Sequence, residues 1–226
     1  GIKLDTHWLG NLVRASALNN NISIIYGNYS PEIKNLFDTC ATITYVAPML
    51  PGKIRGKFIA SSLFKKEVWE KAGGFPEWRA AEDLIFMENA EKLGYQIAYV
   101  PEAMVHWQLR PGPMSTFRRF DLYSKYNVWA GRQPYWHYGV AKQYLFVAFF
   151  VLLAVFHHWL WLLAIPLWMM ARTAKRLWIH RYEFGRKTLF NPAVFFTVLF
   201  LTIVIDMATF SGWIKAILHK PTTSRK

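Results

Sequence analysis

A chain of 226 residues is long enough for one well-filled core and a remainder. Hydrophobic residues make up 53% of it, with the excess after Tyr144, and the formal net charge is +13. The single cysteine, Cys40, excludes an internal disulfide and a cysteine-based metal cluster. The basic residues flank long apolar runs, which favours lipid headgroups and phosphorylated substrates over DNA, and there is no zinc-finger, helix-turn-helix or RNA-binding aromatic pattern.

In chain order, His7 to Asn20 reads as a helix, with Trp8, Leu9, Leu12 and Val13 at helical spacing and the Asn19–Asn21 run ending it. Ile22 to Tyr26 is a short buried strand and Gly27 to Pro31 a turn. Glu32 to Val46 is ambiguous: its first half suits a helix, while Thr42 to Val46 suits a strand. Pro48 to Gly56 carries Pro, Gly and two basic residues and reads as a mobile loop. Phe58 to Ser61 suggests a short strand. Lys65 to Ala72 is a helix stopped by Gly73 and Gly74, Phe75 to Ala81 a loop, and Glu82 to Leu93 a helix stopped by Gly94. Tyr95 to Val100 and Ala103 to Trp107 are strands joined by a turn at Pro101 and Glu102. This alternation predicts an α/β layer domain.

Met114 to Ala130 reads as a helix with Phe117, Phe120, Tyr123 and Tyr126 every three residues and Arg118, Arg119 and Lys125 among them. It suits a membrane interface, or packing on the domain. Tyr144 to Met170 has no charged residue. His157 and His158 near its middle favour a hairpin, His137–Phe156 then Trp159 to about Trp178, over one tilted span. A basic loop at 172–189 should be cytoplasmic. Pro192 to about Leu218 is the last apolar block, and Asp206 within it should face other protein. The chain closes on a basic tail, 219–226.

The run FKKEVWEKAGGFPEW, then AAEDLIFMENAEKLGYQIAYVPEAMVHW, resembles membrane-anchored family 2 glycosyltransferases, over about Gly1 to Gly131. The similarity lies in the Gly-Gly-Phe-Pro-Glu turn, the Glu-Asp pair seven residues after Phe75, the Leu-Gly-Tyr helix stop and the Pro-Glu-Ala before the last strand. It implies the C-terminal half of a GT-A (Rossmann-like) domain at 1–110, an interfacial helix at 111–136 and two or three transmembrane segments within 137–218. It also implies inverting transfer of a sugar from a nucleotide-sugar donor to a lipid-linked or cell-surface glycan, at the cytoplasmic face of the cell membrane.

The resemblance makes Asp83 the general base, with Glu82 beside it. A carboxylate at a helix N-terminus is held ionised by the dipole and the free backbone donors, though both residues could simply cap the helix. The leaving nucleoside diphosphate needs a divalent cation, Mg²⁺ or Mn²⁺, or Arg and Lys donors. The family's Asp-X-Asp-like motif is absent from the chain; Gly1 resembles the last residue of an Asp-X-Gly version, which predicts a nucleotide-binding half upstream. Asp5 suits the cap of the next helix. His106, at the end of the last strand, is a candidate metal ligand. Trp78 and Arg79 could contact the acceptor, and Trp107, Arg110, Arg118 and Arg119 could bind substrate or lipid phosphate. The rival readings are a non-catalytic membrane-anchored binding or assembly module and a transporter subunit.

Overall fold

The computed structural model describes residues 1–50 and 53–219. The chain divides into two compact units, Gly1–Leu109 and Arg110–Lys226.

The first unit is a mixed α/β layer built on a four-stranded sheet. Its strands are β1 (Ile2–Leu4), β2 (Ile22–Glu32), β3 (Ser62–Phe64) and β4 (Gln96–Gln108), in the order β1-β4-β2-β3. The central pair β2 and β4 run parallel; β1 and β3 flank them antiparallel. The helices are α1 (Trp8–Leu18), α2 (Leu36–Tyr45), α3 (Lys66–Ala72) and α4 (Glu82–Lys92). Alternate residues of β2 serve opposite faces. Ile24 and Tyr26 pack with Val68 of α3 and Phe86, Met87 and Ala90 of α4, while Ile25 packs with Leu12 of α1 and Ala103. Burial on both faces explains the unbroken apolar run at the start of β2.

Four sequence expectations change here. The turn expected at Gly27–Pro31 is strand, because β4 pairs with it to Glu32. Gly27 permits this: a Cβ there would lie 2.2 Å from Ser61 Oγ and 2.4 Å from the Ala103 carbonyl oxygen. The turn at Pro101–Glu102 is instead a bulge inside one strand, since pairing steps from Tyr26↔Tyr99 to Asn28↔Met104. Extra residues on β4 are absorbed there, next to a proline that cannot donate to the ladder. Thr42–Tyr45 is helical. Its β-branched residues fit α2 because Thr42 and Thr44 hydroxyls donate to Asp38 O and Cys40 O, at 2.8 and 2.6 Å. The strand expected at Phe58–Ser61 is a 3-10 turn, Ile59–Ser61, leading into β3.

The second unit is helical: α5 (Pro113–Trp129), α6 (Gln133–Trp136), α7 (Tyr138–Phe156), a 3-10 turn (Trp159–Leu163), α8 (Ala164–Ile179), α9 (Arg181–Leu189) and α10 (Pro192–Leu218). The chain reverses at His157–His158, so Phe150 stacks on Trp161 and Phe146 on Trp168, at 6.2 and 5.2 Å. The basic segment 172–189 is not a loop: it forms the end of α8 and then α9, which breaks at Gly185, φ 71°. Among the described residues two helices, α7 and α10, are long and apolar enough to cross a membrane, with mean hydropathy 2.0 and 2.2.

Helix α5 packs along α10 with small and polar groups at the seam. A Cβ on Gly212 would lie 2.2 Å from the Asp121 carbonyl oxygen, so the two backbones touch. Ser124 Oγ donates to Thr209 O at 2.6 Å and Ser211 Oγ to Asp121 Oδ1 at 2.6 Å. Asp206 faces protein, as its charge requires: it is 1% exposed and pairs with Arg172 of α8 at 2.9 Å.

Candidate active site

The Gly73–Gly74 turn is where the site begins. Gly73 caps α3 at φ 82°, and its N–H donates to Glu70 O at 3.3 Å. Gly74 follows at φ 65°, where a Cβ would meet the Trp69 ring at 3.0 Å, so backbone and space both call for glycine. The turn lays Phe75 against Trp69 and Phe86, with ring centroids 4.7 and 5.0 Å apart. Phe86 also meets Trp69 at 4.9 Å and Phe64 at 5.0 Å. Phe86 is fully buried and sits one turn into α4, so this aromatic knot fixes where α4 starts.

Between knot and helix the chain crosses a short surface loop. Glu77 and Arg79 are exposed; Trp78 is half-buried, and its N–H donates to Pro76 O at 2.7 Å. The chain then turns inward at the buried Ala80 and Ala81. Ala81 has φ 68°, the only non-glycine residue with left-handed backbone among the described residues. That conformation costs an alanine about 1–2 kcal/mol, and such strain concentrates where backbone is shaped for function. It turns the chain directly into Glu82 and Asp83.

The acidic pair opens α4. Ala81 has no side chain to cap the helix, so the positive end of the α4 dipole falls on these two carboxylates. Asp83 Oδ1 accepts the Leu84 N–H at 2.8 Å, a local bond of the capping kind. Glu82 Oε2 is buried and has no hydrogen-bond partner. Both side chains are half-buried. Such a pair can accept a proton from a hydroxyl brought against it while the helix end holds the remaining charge.

The other predicted residues fall into separate groups. Trp78, Arg79, Glu82 and Asp83 share the one loop and helix start. His106 is not at a strand end: it pairs with Lys3 of β1 and Ser30 of β2, and β4 runs on to Gln108 because Gln108 N–H donates to Gly1 O at 2.9 Å. Among the described residues no group of three or more His, Cys, Asp or Glu side chains could hold a metal ion. The described residues therefore assemble no ligand set for Mg²⁺ or Mn²⁺ around His106. Trp107, on the opposite face of β4 from His106, packs against Tyr29, Phe58 and Tyr45 at 6.2, 5.9 and 6.3 Å. Arg110, Arg118 and Arg119 belong to the second unit. Arg110 and Arg118 are exposed, and Arg119 lies over the Tyr123 ring at 4.5 Å.

Two features escape the sequence reading. Arg55, in the segment read as a mobile basic loop, is only 6% exposed. Its Nη1 donates to Ala47 O at 2.6 Å, its Nε to Tyr29 O at 3.3 Å, and its N–H to the buried Asn28 Oδ1 at 2.9 Å. Arg55 thus anchors that segment beside the Trp107 cluster; Pro51 and Gly52, also in the expected loop, lie outside the described residues. The second feature is a cleft of about 660 Å³ beside the β4 bulge, lined by Lys53, Ile54, Gly56, Lys57, Tyr99 and Pro101. Its two ammonium groups suit an anion. Lys57 is held by Glu91 at 2.5 Å, and Glu91 also accepts the Tyr26 hydroxyl at 3.0 Å. Burial first, then the Glu91 charge, pushes the Tyr26 phenol above its ordinary pKa, so it stays a donor.

No family model matches this chain, and no curated protein matches it significantly. What stands is a mixed α/β unit with a four-stranded sheet and a helical unit with two helices able to cross a membrane.

Proposed function

We propose that the chain is the acceptor-side half of a membrane-anchored GT-A glycosyltransferase of family 2, acting at the cytoplasmic membrane face. The observation that carries this reading is the strained Ala81, which feeds Glu82 and Asp83 into the N-terminus of α4 behind an aromatic-locked Gly-Gly turn. In the proposed reaction Asp83 takes the proton of an acceptor hydroxyl. The oxygen bonds to the anomeric carbon as the bond from that carbon to the nucleoside diphosphate breaks, and the electron pair leaves with the diphosphate. The acceptor is a lipid-linked or cell-surface glycan, and Trp78 and Arg79, on the loop that leads to Asp83, contact it.

The family's divalent cation remains part of the proposal, but no step is assigned to it, because the described residues do not gather its ligands.

The test is sugar transfer by the full-length protein in membranes, with nucleotide sugar and lipid-linked acceptor. Asp83→Asn should lower turnover by about 10² or more while leaving donor binding unchanged. Near-normal turnover of that variant would remove Asp83 as the base, and absence of transfer or donor hydrolysis by the parent would favour a non-catalytic assembly module.

A further inference from the structure

Arg172, Lys175 and Arg176 fall at i, i+3 and i+4 on α8, so they share one face of the helix. With Trp136, Gln143 and Trp168 they line a groove of about 620 Å³ between α6–α7 and α8. Asp206 of α10 holds Arg172 end-on, accepting from Nη1 at 2.9 Å and from Nη2 at 3.4 Å. It is buried and is not among the groove's lining residues, so it stands behind the cationic side chains that line the groove. Trp168 adds an indole N–H that is buried without a hydrogen-bond partner, on a ring stacked against Phe146 at 5.2 Å. A buried unpaired donor is costly, and an acceptor seated in the groove would satisfy it. The other wall is α7, which is long and apolar enough to cross a membrane and buries none of its residues within the unit.

We propose that this groove binds the phosphate group of an anionic membrane lipid, whose acyl chains lie along α7. Cations in a mostly apolar groove, an unused N–H donor and an uncovered apolar wall are complementary to the two ends of such a molecule, and basic pockets between membrane helices recognise lipid headgroups in this way. The site is independent of the chemistry proposed for the first unit and goes beyond it.

The full chain in nanodiscs tests this, with phosphatidylglycerol titrated into phosphatidylcholine and retained lipid counted by native mass spectrometry. Phosphatidylglycerol should be retained in preference. Lys175→Gln and Arg176→Gln should each weaken that retention about tenfold, as loss of a charge-assisted hydrogen bond does, and Trp168→Phe should weaken it by a smaller factor. Lys187→Gln removes the same charge from α9, outside the groove, and should leave retention within about twofold. Should Lys187→Gln weaken retention as much as Lys175→Gln, plain surface attraction is the cause and the site is overturned. Equal retention of the two lipids also overturns it. So does full displacement of phosphatidylglycerol by inorganic phosphate, which would mark a free-phosphate site. If Arg176→Gln fails to fold, the exposed Lys175 and the still-aromatic Trp168→Phe carry the decision.

Discussion

In the first unit the fully buried side chains include Leu12, Ile24, Tyr26, Val68 and Phe86, packed on the two faces of a sheet. In the second, Val194, Val198 and Leu201 share the interior with Thr116, Ser124, His137, Thr173, Thr202 and Asp206, while Phe146, Phe149, Leu152, Phe156 and Phe200 stand outside. The same chain thus uses two packing logics. Water drives the aromatic and aliphatic side chains of the first unit inward. The second unit leaves large apolar side chains outside, and its helices meet through small residues, close backbones and polar contacts, as at Gly212 and Ser124, the kind of contact by which helices pack where lipid replaces water.

The comparison breaks if the first unit does not depend on its aromatic knot. Phe86→Ala should cost about 3–5 kcal/mol, seen as lost amide-exchange protection in β2 and β4 under mild urea. A loss under about 1 kcal/mol would mean the knot is dispensable. On the other side, Asp206→Ala strands Arg172 and should cost about 3–5 kcal/mol in thermal unfolding in detergent. The paired change Arg172→Met with Asp206→Leu should recover most of that loss, because the ion pair contributes mainly by not being broken. If the double variant is as unstable as the single one, the pair itself stabilises the unit.

Smaller effects sharpen the picture of the sheet. Trp8 Nε1 donates to Ser61 Oγ at 3.0 Å, and Ser61 donates on to Ala103 O at 2.7 Å, beside Gly27. Trp8→Phe keeps an aromatic ring but removes the N–H donor, and should cost about 1 kcal/mol or more in urea unfolding. The smallest effect is electrostatic. The ammonium groups of Lys3, then Lys34, paired with it at 3.1 and 3.2 Å, hold the Glu32 carboxyl below its usual range. A depressed folded value means that Glu32 stabilises the fold above its unfolded pKa and loses that contribution as pH falls through the folded one. Unfolding followed from about pH 7 to about pH 3 should therefore show a shallower acid loss in Glu32→Gln than in the parent.

Much of the local structure was legible. The helix Pro192–Leu218 has the bounds its composition predicts, with proline at its first turn and Asn191 accepting the Ala193 N–H at 2.9 Å. Gly73 and Gly94 end helices as their type implies, both with positive φ. The acidic pair of the candidate site was legible as a helix start. The left-handed Ala81 was not, because alanine rarely adopts that backbone and nothing in the local sequence calls for it.

Hydrophobic periodicity and glycine and proline positions determined where most helices run and which stretches could enter a membrane, because those signals act over a few residues. Partners distant in the chain decided the rest. The pairing of β4 kept Gly27–Pro31 extended and carried the strand two residues past His106, and the bonds that Arg55 donates to Tyr29, Ala47 and Asn28 hold it in the interior. Bringing Asp206 to Arg172, 34 residues away, was likewise a matter of helix packing. A local sequence window carries propensity, whereas burial, register and charge pairing depend on what the fold sets beside it.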